Sequence, residues 1–145
     1  MGFVVFDARN CNALFGPVKL GEGGDPDEFI SISFNDDDFV AVEGVDGSVT
    51  RCRKPNSIIT IEHKLMSSSS VNQALSAIRI ADRVSKNGAG VTTFLYKDLG
   101  GSSLVASSKC WIKKPADIKA GSEIKMVTWT FEAVVDDAAF IVGGN

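Results

Sequence analysis

Residues 56–84 read NSIITIEHKLMSSSSVNQALSAIRIADRV (Asn56–Val84), and within this stretch the hydrophobic period changes from two to that of a helix. From Ser57 to Leu65 the residues alternate: Ile59, Ile61 and Leu65 point one way, Thr60, Glu62 and Lys64 the other. A period of two is that of a half-buried strand. From Ser67 onward the period becomes helical. The four serines Ser67–Ser70 supply N-cap hydroxyls, Gln73 stands in capping-box register with Ser70, and Val71, Ala74, Leu75, Ile78 and Ala81 form one apolar stripe. Asn87-Gly88-Ala89-Gly90 follows, with residues that tolerate positive φ and end a helix. The expectation is one helix over about residues 69–85.

Outside this stretch the chain reads as strand and turn. Phe3–Phe6 is a short apolar strand or arm, Leu14–Leu20 is weakly patterned, and Gly21-Glu22-Gly23-Gly24-Asp25-Pro26 is a break. Glu28–Phe34 alternates, with Ile30, Ile32 and Phe34 on the buried side. Asn35–Asp38 turns the chain into Phe39–Val45, and Asp46-Gly47 is a strong hairpin signal, so residues 36–54 form an extended hairpin. Val91–Lys97 and Ser103–Lys113 are strands joined by Asp98-Leu99-Gly100-Gly101, and Lys114-Pro115 breaks the ladder. The last long strand, about Glu123–Val135, places Val127, Trp129, Phe131, Ala133 and Val135 on one face. Residues 136–145 form an apolar tail of a kind that stays loose unless a partner ties it down. With 145 residues the chain has room for a single domain. The fold class is mainly β (α+β): an antiparallel β-sandwich or partly closed barrel with one flanking helix.

Composition narrows the function. A net charge of −3 disfavours general affinity for nucleic acid. Apolar runs of only a few residues are too short to span a bilayer, so no membrane anchor is expected. Phe3–Phe6 lacks the basic flank and length of a signal peptide, and Gly2 the downstream hydroxyl of a myristoylation site. Three widely spaced cysteines with one histidine, His63, suit neither a disulfide scaffold nor a zinc site, and point to a reducing compartment. His63 falls on the face of Ile61 and Leu65 and reads as a core residue rather than a general base. Asp36-Asp37-Asp38 lacks the alternating oxygens of a calcium loop, and Gly21–Gly24 lacks the Gly-Lys-Ser/Thr of a phosphate loop. Trp111 and Trp129 read as core or interface aromatics. No catalytic constellation, cofactor or metal site is expected.

Charge is segregated along the chain. Between Leu20 and Thr50 nine acidic residues occur with no Lys or Arg; Arg51, Arg53 and Lys54 follow at once, and five lysines lie between Lys109 and Lys125. Complementary portions on one small domain can meet head to tail in neighbouring copies. Both portions as plain solvated surface is the competing reading.

The order of short motifs carries a resemblance. Gly44-Val45-Asp46-Gly47-Ser48-Val49-Thr50-Arg51, then Ser57–Ile61, then Ser67–Ser70 leading into Asn72-Gln73-Ala74-Leu75, resembles the tail tube proteins of contractile-tailed bacteriophages. Ala106–Ile112, Lys114-Pro115-Ala116-Asp117 and Val127–Phe131 are similar to the C-terminal half of that family. The resemblance implies a virion structural protein made in the host bacterial cytoplasm. Its subunits assemble into hexameric rings whose strands join across subunits, and the rings stack into a tube. The implied partners are other copies of itself, the tail sheath protein, and the baseplate and tape-measure proteins; DNA passes through the lumen without specific binding. Tubes of type VI secretion systems and phage-tail-like bacteriocins are the runners-up, and a β-sandwich ligand-binding module stands further off. On this reading Asp36, Asp37, Asp38, Asp46, Arg51, Arg53 and Lys54 are the inter-subunit contact candidates, and residues 136–145 are a second contacting arm.

Overall fold

The computed structural model describes residues 11–20, 30–98 and 102–143. The expected strand Phe3–Phe6, the glycine-rich break at 21–26 and the centre of the 98–101 turn lie outside these residues. The strands are β1 (Cys11–Phe15), β2 (Val18–Lys19), β3 (Ile30–Phe34), β4 (Phe39–Glu43), β5 (Val49–Arg53) and β6 (Ile58–Met66). Helix α1 (Val71–Val84) follows, then β7 (Thr92–Asp98), β8 (Leu104–Lys114), β9 (Met126–Val134), a single 3-10 turn at Asp137–Ala139 and β10 (Phe140–Ile141).

One antiparallel sheet runs in the order β2-β1-β7-β8-β9-β6-β3, with β10 added to β8, while β4 and β5 form a separate two-stranded ribbon. Alternation along β6 and β9 explains the side that faces inward. Ile59, Ile61, His63 and Leu65 are buried on β6, and Val127, Trp129, Phe131 and Ala133 on β9, followed by Val135. The sheet folds back on itself around this face. Phe15 on β1 and Phe131 on β9 lie three strand positions apart along the sheet, about 14 Å if it were flat. Their ring centroids are 4.9 Å apart. Phe34 on β3 likewise meets Phe140 on β10 at 4.5 Å. The result is a mainly β, sandwich-like body with one flanking helix; among the described residues no strand joins β3 to β2, so the sheet is not closed into a barrel.

Strand β8 makes this wrap possible by serving two partners along one edge. Leu104 and Val105 pair with β10, whereas Lys109 to Lys114 pair with β9. At the changeover the buried Ser107 hydroxyl accepts the Lys109 N–H (3.1 Å) and donates to the Val134 carbonyl (2.5 Å). It thereby satisfies backbone groups where the ladder shifts register.

Helix α1 differs from expectation at its start and on its outer side. Ser70 already has helical angles (φ −65°, ψ −18°) and makes no side-chain cap, so the Ser70–Gln73 capping box does not form. A capping hydroxyl needs extended backbone at its own residue. Ser69 Oγ accepts the Val71 N–H instead (3.3 Å). Only Val71 and Leu75 are fully buried, with Ile78 packed against the core; Ala74 and Ala81 are exposed. At 100° per residue those alanines sit roughly 60–80° round from Val71, beyond the strip the sheet covers. Ile80 and Val84 also face solvent, so the helix is apolar on both sides. At its far end Gly90, buried, gives its N–H to Asp82 Oδ1 (3.2 Å). A Cβ on Gly90 would lie 2.3 Å from that of Asp82.

Candidate assembly surfaces

The β4–β5 ribbon, with the turn at its base, carries the charged inter-subunit candidates. Its base is built by the acidic turn. Asp36 Oδ1 accepts the Asp37 N–H (2.8 Å) and the Lys54 ammonium (2.7 Å). The Asn56 amide donates to the Asp36 carbonyl and to Asp38 Oδ1, both at 2.9 Å. The Lys54 N–H closes the base on the Asp38 carbonyl (2.8 Å). The Lys54 hydrogen bond, then the Asp37 N–H, hold the Asp36 carboxyl below the usual aspartate range, and the same bond pushes the lysine up.

The tip is equally defined. Gly44 N–H reaches the Ser48 carbonyl (2.7 Å), and Gly47 takes a positive φ of 85° that favours glycine. Asp46 Oδ1 accepts the Ser48 hydroxyl (2.7 Å) and the Ser48 N–H (3.0 Å), which together lower its pKa. The hairpin expected from Asp46-Gly47 is therefore present, with strands in register from Phe39 opposite Arg53 to Glu43 opposite Val49.

Every residue of β4 and β5 is exposed on both faces of the ribbon. One face carries Phe39, Ala41 and Glu43 with Arg53, Arg51 and Val49; the Arg51 guanidinium lies 4.1 Å from the centre of the Phe39 ring. The other carries Val40, Val42, Thr50 and Cys52. Val45, at the tip, is fully exposed. An isolated two-stranded hairpin is at best marginally stable in water, and this one spends apolar residues on solvent.

The first basic cluster thus folds back beside the acidic turn. Lys54 meets Asp36 in the same subunit, Asp38 is held by Asn56, Asp46 by Ser48, and Arg51 covers Phe39. Asp37 and Arg53 lie exposed on the same ribbon. Among the described residues, no group of three or more His, Cys, Asp or Glu side chains gathers around one metal position. No described helix is long and apolar enough to cross a membrane.

At the opposite end of β6 and β9 lies the loop from Pro115 to Lys125. Ser67 N–H donates to the Lys125 carbonyl (2.8 Å), tying it to the helix entry. Two hollows adjoin there, one of about 200 Å³ flanked by Lys114 and Lys119, the other of about 310 Å³ floored by Val127 and Trp129. Asp117 and Lys119 line both, and Ile118, 99% exposed, borders the second. Trp129 is buried, and its indole N–H donates to Asn72 Oδ1 (2.9 Å). Trp111 is half-buried on the other side of the sheet, opposite Glu132, which pairs with Lys113 at 3.6 Å. Nothing in the spacing of the sequence marked Asn72 as the residue that joins helix to sheet; an asparagine just inside a helix start was its only signal.

The tail folds onto its own sheet as far as Gly143. Phe140 and Ile141 pair with β8, Gly143 N–H donates to Ser103 Oγ (3.0 Å), and Ser103 Oγ donates to the Gly143 carbonyl (2.6 Å). His63 is fully buried with Ile61 and Leu65. Cys110 is buried with its thiol pushed up to about 12 by desolvation, while Cys52 is free and exposed.

No family model matches this sequence, and no curated protein does. Among solved structures, the chain is similar in fold to a chain in the cryo-EM structure of the anti-feeding prophage cap, described as the tube-terminating cap. The TM-score is 0.55 over 93% of this chain and 91% of that one, at 11% identity, so what the two share is the architecture.

Proposed function

We propose that this protein is a structural subunit of a contractile injection tail, assembling through its ribbon into the rings and stacked layers of the inner tube. The observation that carries the reading is the β4–β5 ribbon, ten strand residues exposed on both faces and bearing Phe39, Val40, Val42 and Val49. A partner surface would remove that apolar area from water at about 25 cal/mol per Å². Among the described residues β3 pairs only with β6, so its other edge offers a second place for a neighbouring copy, because unpaired strand edges invite pairing. The shared fold with a tube-terminating cap is consistent with this role. In such a particle the further partners would be the sheath, baseplate and tape-measure proteins.

One observation favours a second reading. The neighbour in fold caps the tube of a phage-tail-like particle, so a tube-end protein of a similar particle, one ring thick, is the alternative. Electron microscopy of the purified, untagged chain over a range of concentration and salt separates them. Long hollow tubes support the tube reading, single rings support the end piece, and monomers under all conditions refute both.

A further inference from the structure

The ribbon and the lysine loop lie at opposite ends of the same two strands. Ile58, next to the ribbon, pairs with Val134; Met66, next to the loop, pairs with Met126. The nine residues of β6 set these ends about 30 Å apart. The two ends are also opposite in character. From Val42 to Thr50 the ribbon tip has the carboxylates of Glu43 and Asp46, no cation, and the exposed apolar side chains of Val42, Val45 and Val49. At the loop end, Lys114 and Lys119 flank one hollow, with Asp117 on the lip, and Ile118 projects beside the apolar floor of the other.

We infer that the ribbon tip of one copy seats on the 114–119 segment of the next, its carboxylates between Lys114 and Lys119 and its valines against Ile118. This deepens the self-assembly reading above and rests on it. The contact joins two different patches, so it is heterologous and cannot close as a two-fold pair. Because the patches lie at opposite ends of the same strand pair, each copy that receives a tip presents another. Stacking along the strand direction follows.

Cross-linking tests this with positions that nothing in the fold constrains. In a Cys52→Ser background, Val45→Cys protein is mixed with Ile118→Cys protein under mild oxidation. A disulfide-linked heterodimer is expected well above either protein alone, and a ladder of multimers from the double variant. Assembly seen by microscopy without such cross-links overturns the inference and leaves the self-assembly reading standing. Failure of the unmodified chain to assemble at all overturns both. A charge-reversal arm is independent of cysteine chemistry. Lys114→Glu with Lys119→Glu is expected to raise the concentration needed for assembly about tenfold, and mixing with Glu43→Lys protein to recover part of that loss. Unchanged assembly by the lysine variants also overturns the seating.

Discussion

Replacing Asn72 by alanine is the sharpest test of how helix and sheet are joined. Its side-chain amide donates to three carbonyls, those of Met66 (3.0 Å), Ser69 (3.1 Å) and Ser67 (3.3 Å), and its oxygen accepts the Trp129 indole N–H at 2.9 Å. Trp129 is only 3% exposed, and without Asn72 its indole N–H has lost its acceptor at the floor of the hollow that both residues line. A buried donor left without a partner costs about 1–3 kcal/mol. The carbonyls are only partly buried and two N–H hydrogens serve three of them, which adds about 1 kcal/mol. The expected loss is about 2–4 kcal/mol, a fall in melting temperature of roughly 5–15 °C for a domain of this size. Urea unfolding of the monomer, followed by tryptophan fluorescence, measures it. Trp129→Phe and the double variant complete a cycle whose coupling energy is expected to be about 1 kcal/mol or more. A coupling near zero, or an Asn72→Ala protein as stable as the parent, refutes the reasoning.

Gly90→Ala forces a Cβ to within 2.3 Å of the Asp82 Cβ and should cost about 1–3 kcal/mol by equilibrium unfolding, although the site looks like an ordinary loop glycine. Acidification should loosen the ribbon before the body. The folded pKa values of Asp36 and Asp46 lie below the ordinary 3.8, so their contribution is complete above that value and is lost as pH falls through the lowered ones. Amide signals of Asp37 and Ser48 in NMR should change in that acid range while those of β6 and β9 hold; simultaneous loss would contradict this. Cys110 should resist alkylation at about pH 8 until the protein unfolds, and Cys52 should react at once, as site-resolved mass spectrometry would show.

Periodicity made much of this fold legible. The alternation of Ile59, Ile61 and Leu65, and of Val127 through Val135, reports which face is inside because a strand's side chains have only two sides to choose from. The ribbon was equally legible from Asp46-Gly47, since positive φ at the tip calls for glycine. The motif order that resembles tail tube proteins supplied the functional direction of the proposal; the likeness to the solved cap chain, at 11% identity, is one of fold.

What the sequence by itself determined is therefore local: strand faces, the helix, the projecting hairpin and the acidic-then-basic run of charges. Tertiary structure decided which of those features meet. Asp36 and Lys54 stand at the two ends of the expected hairpin, but their pairing within one subunit, rather than across to a neighbour, appears only in the folded chain. Asn72 reaches Trp129 across 57 residues because the sheet carries β9 under the helix start. Ala74 and Ala81 stay outside because the sheet covers only a narrow strip of the helix, a width set by the supporting strands rather than by the helix's own pattern. The placement of the acidic tip and the lysine loop at opposite ends of one strand pair is of the same kind. Burial and pairing are properties of what lies alongside, and only the folded chain brings the neighbours there.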